Sequence, residues 1–136
     1  MEKDNEFQEK FYLYQTLINQ RELLTEQLEL IDQSVEDTLI TENAVEELGK
    51  HDGKDILATV GKDTFLFAEM KEKNKVLVEL GAGVLAKKSL EEARKILESK
   101  RKELEENRKE IVIRLERISL EILKIEPEIK KVLEKD

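Results

Sequence analysis

The chain has 136 residues, 41% of them charged, 39% apolar and only 4% aromatic. This suits one domain built on long helices and argues against a thick globular core or a disordered chain. The net charge of −8 is local: residues 1–50 carry 13 Asp+Glu against 4 Lys+Arg, residues 51–89 carry 6 against 7, and residues 90–136 carry 13 of each. The absence of any unopposed basic block argues against nucleic acid, the lack of Cys excludes disulfides and thiolate metal sites, and no apolar run nears the ~20 residues of a membrane span.

The chain opens with MEKDNEFQEK, which has no apolar signal core, so a cytoplasmic protein is expected. A heptad reading then places Phe7, Lys10, Tyr14, Leu17, Arg21, Leu24, Leu28, Ile31, Val35, Thr38, Glu42 and Val45 on one seam, and eight of the twelve are apolar. A strict seven-residue repeat keeps one face toward a partner, the pattern of a coiled coil. The spacing predicts a helix over 4–48, capped by Asp4 or Asn5 and stopped at Gly49, with Phe11, Ile18 and Leu39 widening the apolar stripe.

The middle of the chain differs. Ile56–Val60 and Thr64–Met70 are β-type runs around Gly61-Lys62-Asp63, and Val76–Leu80 and Val84–Lys88 flank Gly81-Ala82-Gly83. Each pair predicts a β-hairpin with a Gly-bearing turn, so residues 55–88 hold four strands. Two apolar sets are expected: Ile56, Ala58, Val60, Phe65 and Phe67 on the first hairpin, and Val76, Val78, Leu80, Val84 and Ala86 on the second. Isolated hairpins are marginal in water. With both helices committed to each other, other chains are expected to cover these strands, which makes the ten residues the assembly set.

Ser89-Leu-Glu-Glu92 is a capping box that opens a second helix over 90–134. Its seam runs Leu97, Arg101, Leu104, Arg108, Ile111, Leu115, Ile118, Ile122, Ile125, Ile129, Val132, with nine of eleven apolar. Pro127 is expected to kink or fray it beyond about Ile122. Helices of equal length predict an antiparallel hairpin whose facing residue numbers sum to about 138, bringing Lys10 to Glu128 and Arg101 to Asp37. The fold class is thus α+β: a long helical coiled-coil hairpin with two central β-hairpins, in a single domain over 1–136.

This order of elements resembles prefoldin, and two hairpins rather than one favour its alpha type. The resemblance rests on Gly61, on Lys75-Val-Leu-Val-Glu-Leu-Gly-Ala-Gly-Val84, and on Ser89-Leu-Glu-Glu-Ala93. Members often carry a Pro in the first strand, where Ala58-Thr59 stands here. The resemblance implies two alpha-type and four beta-type subunits whose strands form a β-barrel platform bearing six coiled coils. It also implies that the coil tips hold unfolded client proteins and pass them to a group II chaperonin without nucleotide or cofactor.

At the tips, Phe7, Phe11, Tyr12 and Leu13 are expected beside Ile125, Ile129, Val132 and Leu133, forming the client-binding set. Enzyme readings find little support in the residues. His51 is the sole histidine, so His51-Asp52, which resembles a phosphohydrolase metal pair, lacks the further ligands that site needs. The Gly53-Lys54 and Gly61-Lys62 pairs lack the rest of a phosphate loop, and a hairpin turn accounts for Gly81-Ala-Gly83. Two non-enzymatic alternatives stand beside the chaperone: a homo-oligomeric prefoldin-like scaffold, and a coiled-coil adaptor that binds one folded partner through its acidic first arm.

Overall fold

A computed structural model describes residues 2–51 and 53–134. The elements are α1 (Glu2–Lys50), β1 (Ile56–Gly61), β2 (Thr64–Ala68), β3 (Lys75–Gly81), β4 (Val84–Ser89) and α2 (Leu90–Glu134). Two compact units can be distinguished: one holds the residues up to Ser34 and those from Leu104 onward, the other Val35–Glu103.

The seam of α1 follows the heptad reading. Every position on it except Lys10 is at least half-buried, with Leu17 and Val45 deepest. Of the residues expected to widen the stripe, Ile18 is half-buried, but Phe11 and Leu39 are exposed. The helix begins earlier and ends later than expected. Asp4 lies within its first turn, where a carboxylate complements the helix dipole without capping. Gly49 continues the helix because Leu48 packs on the neighbouring core and holds the last turn. The left-handed residues that redirect the chain come later, at Gly53 and Asp55, with φ of 75° and 55°.

In the unit of helix ends, Leu17 of α1 and Ile111, Ile122 and Ile129 of α2 are the buried residues. The helices there are antiparallel: Lys10 Nζ lies 3.1 Å from a Glu128 carboxylate oxygen, as the register predicts, and Arg108 Nε lies 2.6 Å from Asp32 Oδ1. Contrary to expectation, α2 does not fray at Pro127. It runs on to Glu134, and Ile129, two residues further, is only 5% exposed. Pro127 and Leu123, whose carbonyl loses its usual helical donor, both lie on the solvent side, so water can satisfy that carbonyl.

In the other unit, Val45 of α1, Val78 of β3, and Leu90 and Ala93 of α2 form a small core flanked by Leu48, Met70 and Val76. Arg101 pairs with Glu42, which sits on the seam, while Asp37, the residue the register brings toward Arg101, is exposed. At the start of α2, the Glu92 amide donates to Ser89 Oγ at 3.1 Å, and the Leu90 amide donates to the Asn74 carbonyl at 3.1 Å. The Glu92 carboxylate lies 3.9 Å from Lys88 Nζ.

The four strands make two separate antiparallel pairs, β1–β2 and β3–β4. In the first, Ile56 and Ala58 stand opposite Ala68 and Leu66, while Leu57 and Thr59 stand opposite Phe67 and Phe65. Phe65 and Phe67 therefore lie on the other face from Ile56 and Ala58, not on the same one as expected. The cause is a bulge between Thr59 and Gly61, which leaves Val60 without a partner and moves the pairing by one residue. A one-residue shift exchanges the faces of a strand. In the second pair, Val76 stands opposite Lys88 and Val78 opposite Ala86, with a matching bulge at Leu80. Val76, Val78 and Ala86 thus share a face, as expected.

Candidate functional site

Two surfaces hold the residues singled out in the sequence. The first is where the start of α1 meets the end of α2. Helical spacing turns Phe7 toward the seam and stacks its ring on Phe11, with centroids 6.1 Å apart and planes 24° from parallel. Phe11, Tyr12 and Leu13 come next in sequence, so they fan around the helix and all are exposed, Tyr12 at 73%. From α2, Val132 and Leu133 are exposed and Ile125 is half-buried. Ile129 does not belong to this accessible group. Its burial makes it part of the seam.

A trough continues from this surface along one face of the helix pair. Its largest section, about 500 Å³, is floored by Leu17, Leu24 and Ile118 and edged by Arg114, Arg117 and Glu121. Leu23 lines it and is exposed, as is Leu30 seven residues on, and α2 exposes Ile113, Leu120 and Leu123. Leu23, Leu30, Ile113, Leu120 and Leu123 lie off the seam and were missed in the sequence, although the seven-residue spacings 23–30 and 113–120 could have revealed four of them.

The second surface is the strands. The first hairpin leaves apolar side chains exposed on both faces: Leu57, Phe65 and Phe67 on one, Leu66 on the other, and Val60 at the bulge, with Phe67 at 87%. Ile56 and Ala58 are half-buried. Leu57 and Leu66 escaped the sequence reading because the bulge that sets their faces has no clear sequence mark. A two-stranded sheet with neither face covered is marginal by itself. The second hairpin differs. Val78 is buried and Val76 and Ala86 are half-buried, because this face rests on α1 and α2 of the same chain. The expectation that the chain has nothing with which to cover its strands therefore fails for this hairpin. Its opposite face exposes Leu77 and Leu85, and Leu80 and Val84 near the turn are exposed too.

Short polar contacts fix these strands. Lys100 Nζ donates to the Glu79 carbonyl at 2.8 Å, tying α2 to β3 beside its bulge. Lys87 Nζ lies 2.6 Å from Glu72 Oε2, joining β4 to the connection between the hairpins. The Met70 amide donates to the Gly53 carbonyl at 2.7 Å, joining the end of the first hairpin to the segment after α1.

Among the described residues, no group of three or more His, Cys, Asp or Glu side chains is placed to hold a metal ion. His51 is exposed, with Nε2 3.6 Å from Glu47 Oε2, and Asp52 lies outside the described residues. No helix among the described residues is long and apolar enough to cross a membrane.

The architecture defines a class: proteins with two long helices joined in sequence by two small antiparallel strand pairs. A family model described as Prefoldin subunit matches residues 17–135. Prefoldin subunit alpha of Thermococcus onnurineus is 31% identical over 94 residues, covering 68% of this chain and 64% of the relative. Prefoldin subunit alpha of Methanobrevibacter smithii is 30% identical over 93 residues, covering 65% and 64%. The chain thus spans just under two thirds of the length of these relatives. A chain of filamentous PFD from Methanocaldococcus jannaschii, seen by cryo-electron microscopy, shares the fold, with a TM-score of 0.63 at 22% identity over 95% of this chain and 99% of that one. The chain belongs to the prefoldin family, a family of chaperone subunits, and is of the alpha type.

Proposed function

We propose that the chain is a non-enzymatic holdase subunit of the cytoplasm that works without ATP. It joins beta-type subunits through its strands, two alpha with four beta, and binds unfolded proteins at the helix ends before they pass to a group II chaperonin. The observation that carries this reading is the first hairpin, whose apolar side chains are exposed on both faces and call for cover from other chains. The contacts assigned to assembly are Val60, Phe65, Phe67, Leu80 and Val84, joined by Leu57 and Leu66. Val78 is assigned instead to the chain's own core.

Phe11, Tyr12, Leu13, Val132 and Leu133 supply the holding surface, with Phe7 and Ile125 at its margin. Each buried apolar side chain contributes only about 1.5–3 kcal/mol before ordering costs. Several copies acting on one client turn this weak binding into firm holding, and no nucleotide is needed for release. The test mixes the chain with a beta-type subunit, measures the mass of the product, and follows aggregation of a denatured protein without ATP. A hexamer that suppresses aggregation is expected. A hexamer with no effect on aggregation would refute holding.

A second reading is a homo-oligomeric scaffold. The doubly exposed first hairpin supports it, because identical copies can cover one another as well as a partner can. Large homo-oligomers of the chain alone, indifferent to a beta-type subunit, would favour this reading.

A further inference from the structure

The trough beside the helix ends is charged with opposite sign at its two ends. It consists of three hollows that meet through shared residues. The outer hollow lies against Glu6, Glu9, Lys10 and Leu13. The middle one runs from Leu13 and Leu17 to Ile125 and Glu128. The inner one continues from Leu17 to Arg114 and Arg117. Leu13, Leu17 and Leu24 make an apolar line along the trough.

The charges at its ends are available. Lys10 is engaged with Glu128 at 3.1 Å, which leaves Glu6 and Glu9 without an ion-pair partner among the described residues. Arg114 and Arg117 likewise have none. The outer end therefore carries surplus negative charge and the inner end surplus positive charge, with Glu121 and Lys124 of opposite sign between them. Antiparallel pairing puts Arg117 level with about residue 22 of α1, so the two charged ends are separated by roughly thirteen helical residues, or ~20 Å. An extended chain covers ~20 Å in about six residues.

We propose that the trough selects among unfolded segments by charge order: it holds an extended stretch of about six apolar residues bounded by a basic residue at the outer end and an acidic residue at the inner end. This deepens the holdase reading and rests on it. The chemistry is plain complementarity. The apolar stretch covers the leucine line, the basic residue meets Glu6 and Glu9, and the acidic residue meets Arg114 and Arg117. Either chain direction serves, because the trough reads the order of charges along its length and not the polarity of the peptide backbone.

The test uses the full chain and fluorescently labelled peptides that share one apolar centre and differ only at their ends: Lys and Asp, Lys and Gln, Gln and Asp, or Gln at both. Anisotropy titration is expected to show about a twofold to fivefold gain in affinity for each matched end, as for exposed ion pairs, fading at high salt. The variant Glu6→Gln/Glu9→Gln should abolish the gain from Lys and keep that from Asp. Arg114→Gln/Arg117→Gln should do the reverse. All four surface changes leave the seam intact, and circular dichroism checks the helices.

Equal binding of all four peptides overturns the charge preference and leaves the holdase reading standing. Suppressed aggregation with no peptide bound overturns the trough as the site. A change of oligomer mass in these variants, with peptide binding unaltered, shows that a second copy occupies the trough, and overturns the proposal. Failure both to bind peptide and to suppress aggregation removes the holdase reading along with the inference.

Discussion

Arg101 of α2 reaches across the helix seam to Glu42 of α1, its Nε 2.7 Å from Oε2 and a second guanidinium nitrogen 3.4 Å from Oε1. The two side chains are only 22% and 12% exposed, and both occupy positions that a uniform coiled coil would fill with apolar residues. A charged pair at such a place contributes little net stability but penalises any sliding of the helices that would separate it. Arg101→Leu alone should cost about 1–3 kcal/mol in urea unfolding, because it leaves Glu42 without this partner in a largely dry site. The exchange Arg101→Glu/Glu42→Arg should recover part of that loss. An unchanged unfolding midpoint in Arg101→Leu would show that the pair does not constrain the seam.

Gly53→Ala should destabilise the segment around the strands by about 1–3 kcal/mol. Gly53 takes a φ of 75°, and a Cβ added there would sit 3.0 Å from Met70 Cβ. Thermal unfolding measures the loss, and Met70→Ala in the same chain should relieve only a fraction of it, because it removes the contacts with Sδ at 3.2 Å and Cγ at 3.3 Å but keeps Cβ and the positive φ.

The two hairpins should respond differently to polar substitution. Phe65→Ser/Phe67→Ser should leave the helix content and melting of the isolated chain within about 0.5 kcal/mol of the original, because both side chains are exposed, and should abolish assembly as read by light scattering. Val78→Ser should lower stability by about 1–3 kcal/mol, because it places a hydroxyl in the core shared by β3 and both helices. Assembly unaffected by the double Phe change would remove the first hairpin from the interface.

Holding and helix pairing should separate at the helix ends. Tyr12→Ser/Leu133→Ser should weaken aggregation suppression several-fold with the melting temperature preserved, because both residues are exposed. Ile129→Ala should destabilise the helix pair by about 2–4 kcal/mol, because it opens a void in the seam. Loss of assembly in the Tyr12/Leu133 variant would place those residues in the interface instead.

Pro127→Ala should stabilise α2 by about 1–3 kcal/mol, because it restores a donor for the Leu123 carbonyl and removes the ring from the preceding turn. Hydrogen exchange of the last turns should slow. Unchanged exchange would mean that the ring costs the helix nothing at this site.

The helices were legible because the seam depends only on which residues recur at three and four, and no tertiary partner overrides that spacing from Tyr14 to Val45 or from Leu97 to Ile129. Their ends were not. Gly49 reads as a stop, but Leu48 is held in a core assembled from residues up to 49 positions away in sequence, at Leu97. Pro127 reads as a break, but its cost depends on whether the freed carbonyl faces water, which spacing cannot show. The hairpins were legible from their glycines, while the faces of the first were not, because a single unpaired residue, Val60, reverses them. Among the residues expected to hold clients, Phe11 to Leu13 are exposed at the helix start, whereas Ile129 is buried in the seam, because sequence gives depth along a helix but not accessibility.

The uncovered first hairpin sets a condition on how the chain can be made. With Phe65 and Phe67 uncovered, each newly synthesised copy carries an apolar strand pair open to capture by any extended segment it meets. If other chains cover those side chains as proposed, making this polypeptide in excess of them leaves orphans prone to clumping. Matched production, or swift proteolysis of the surplus, is the remedy the surface demands.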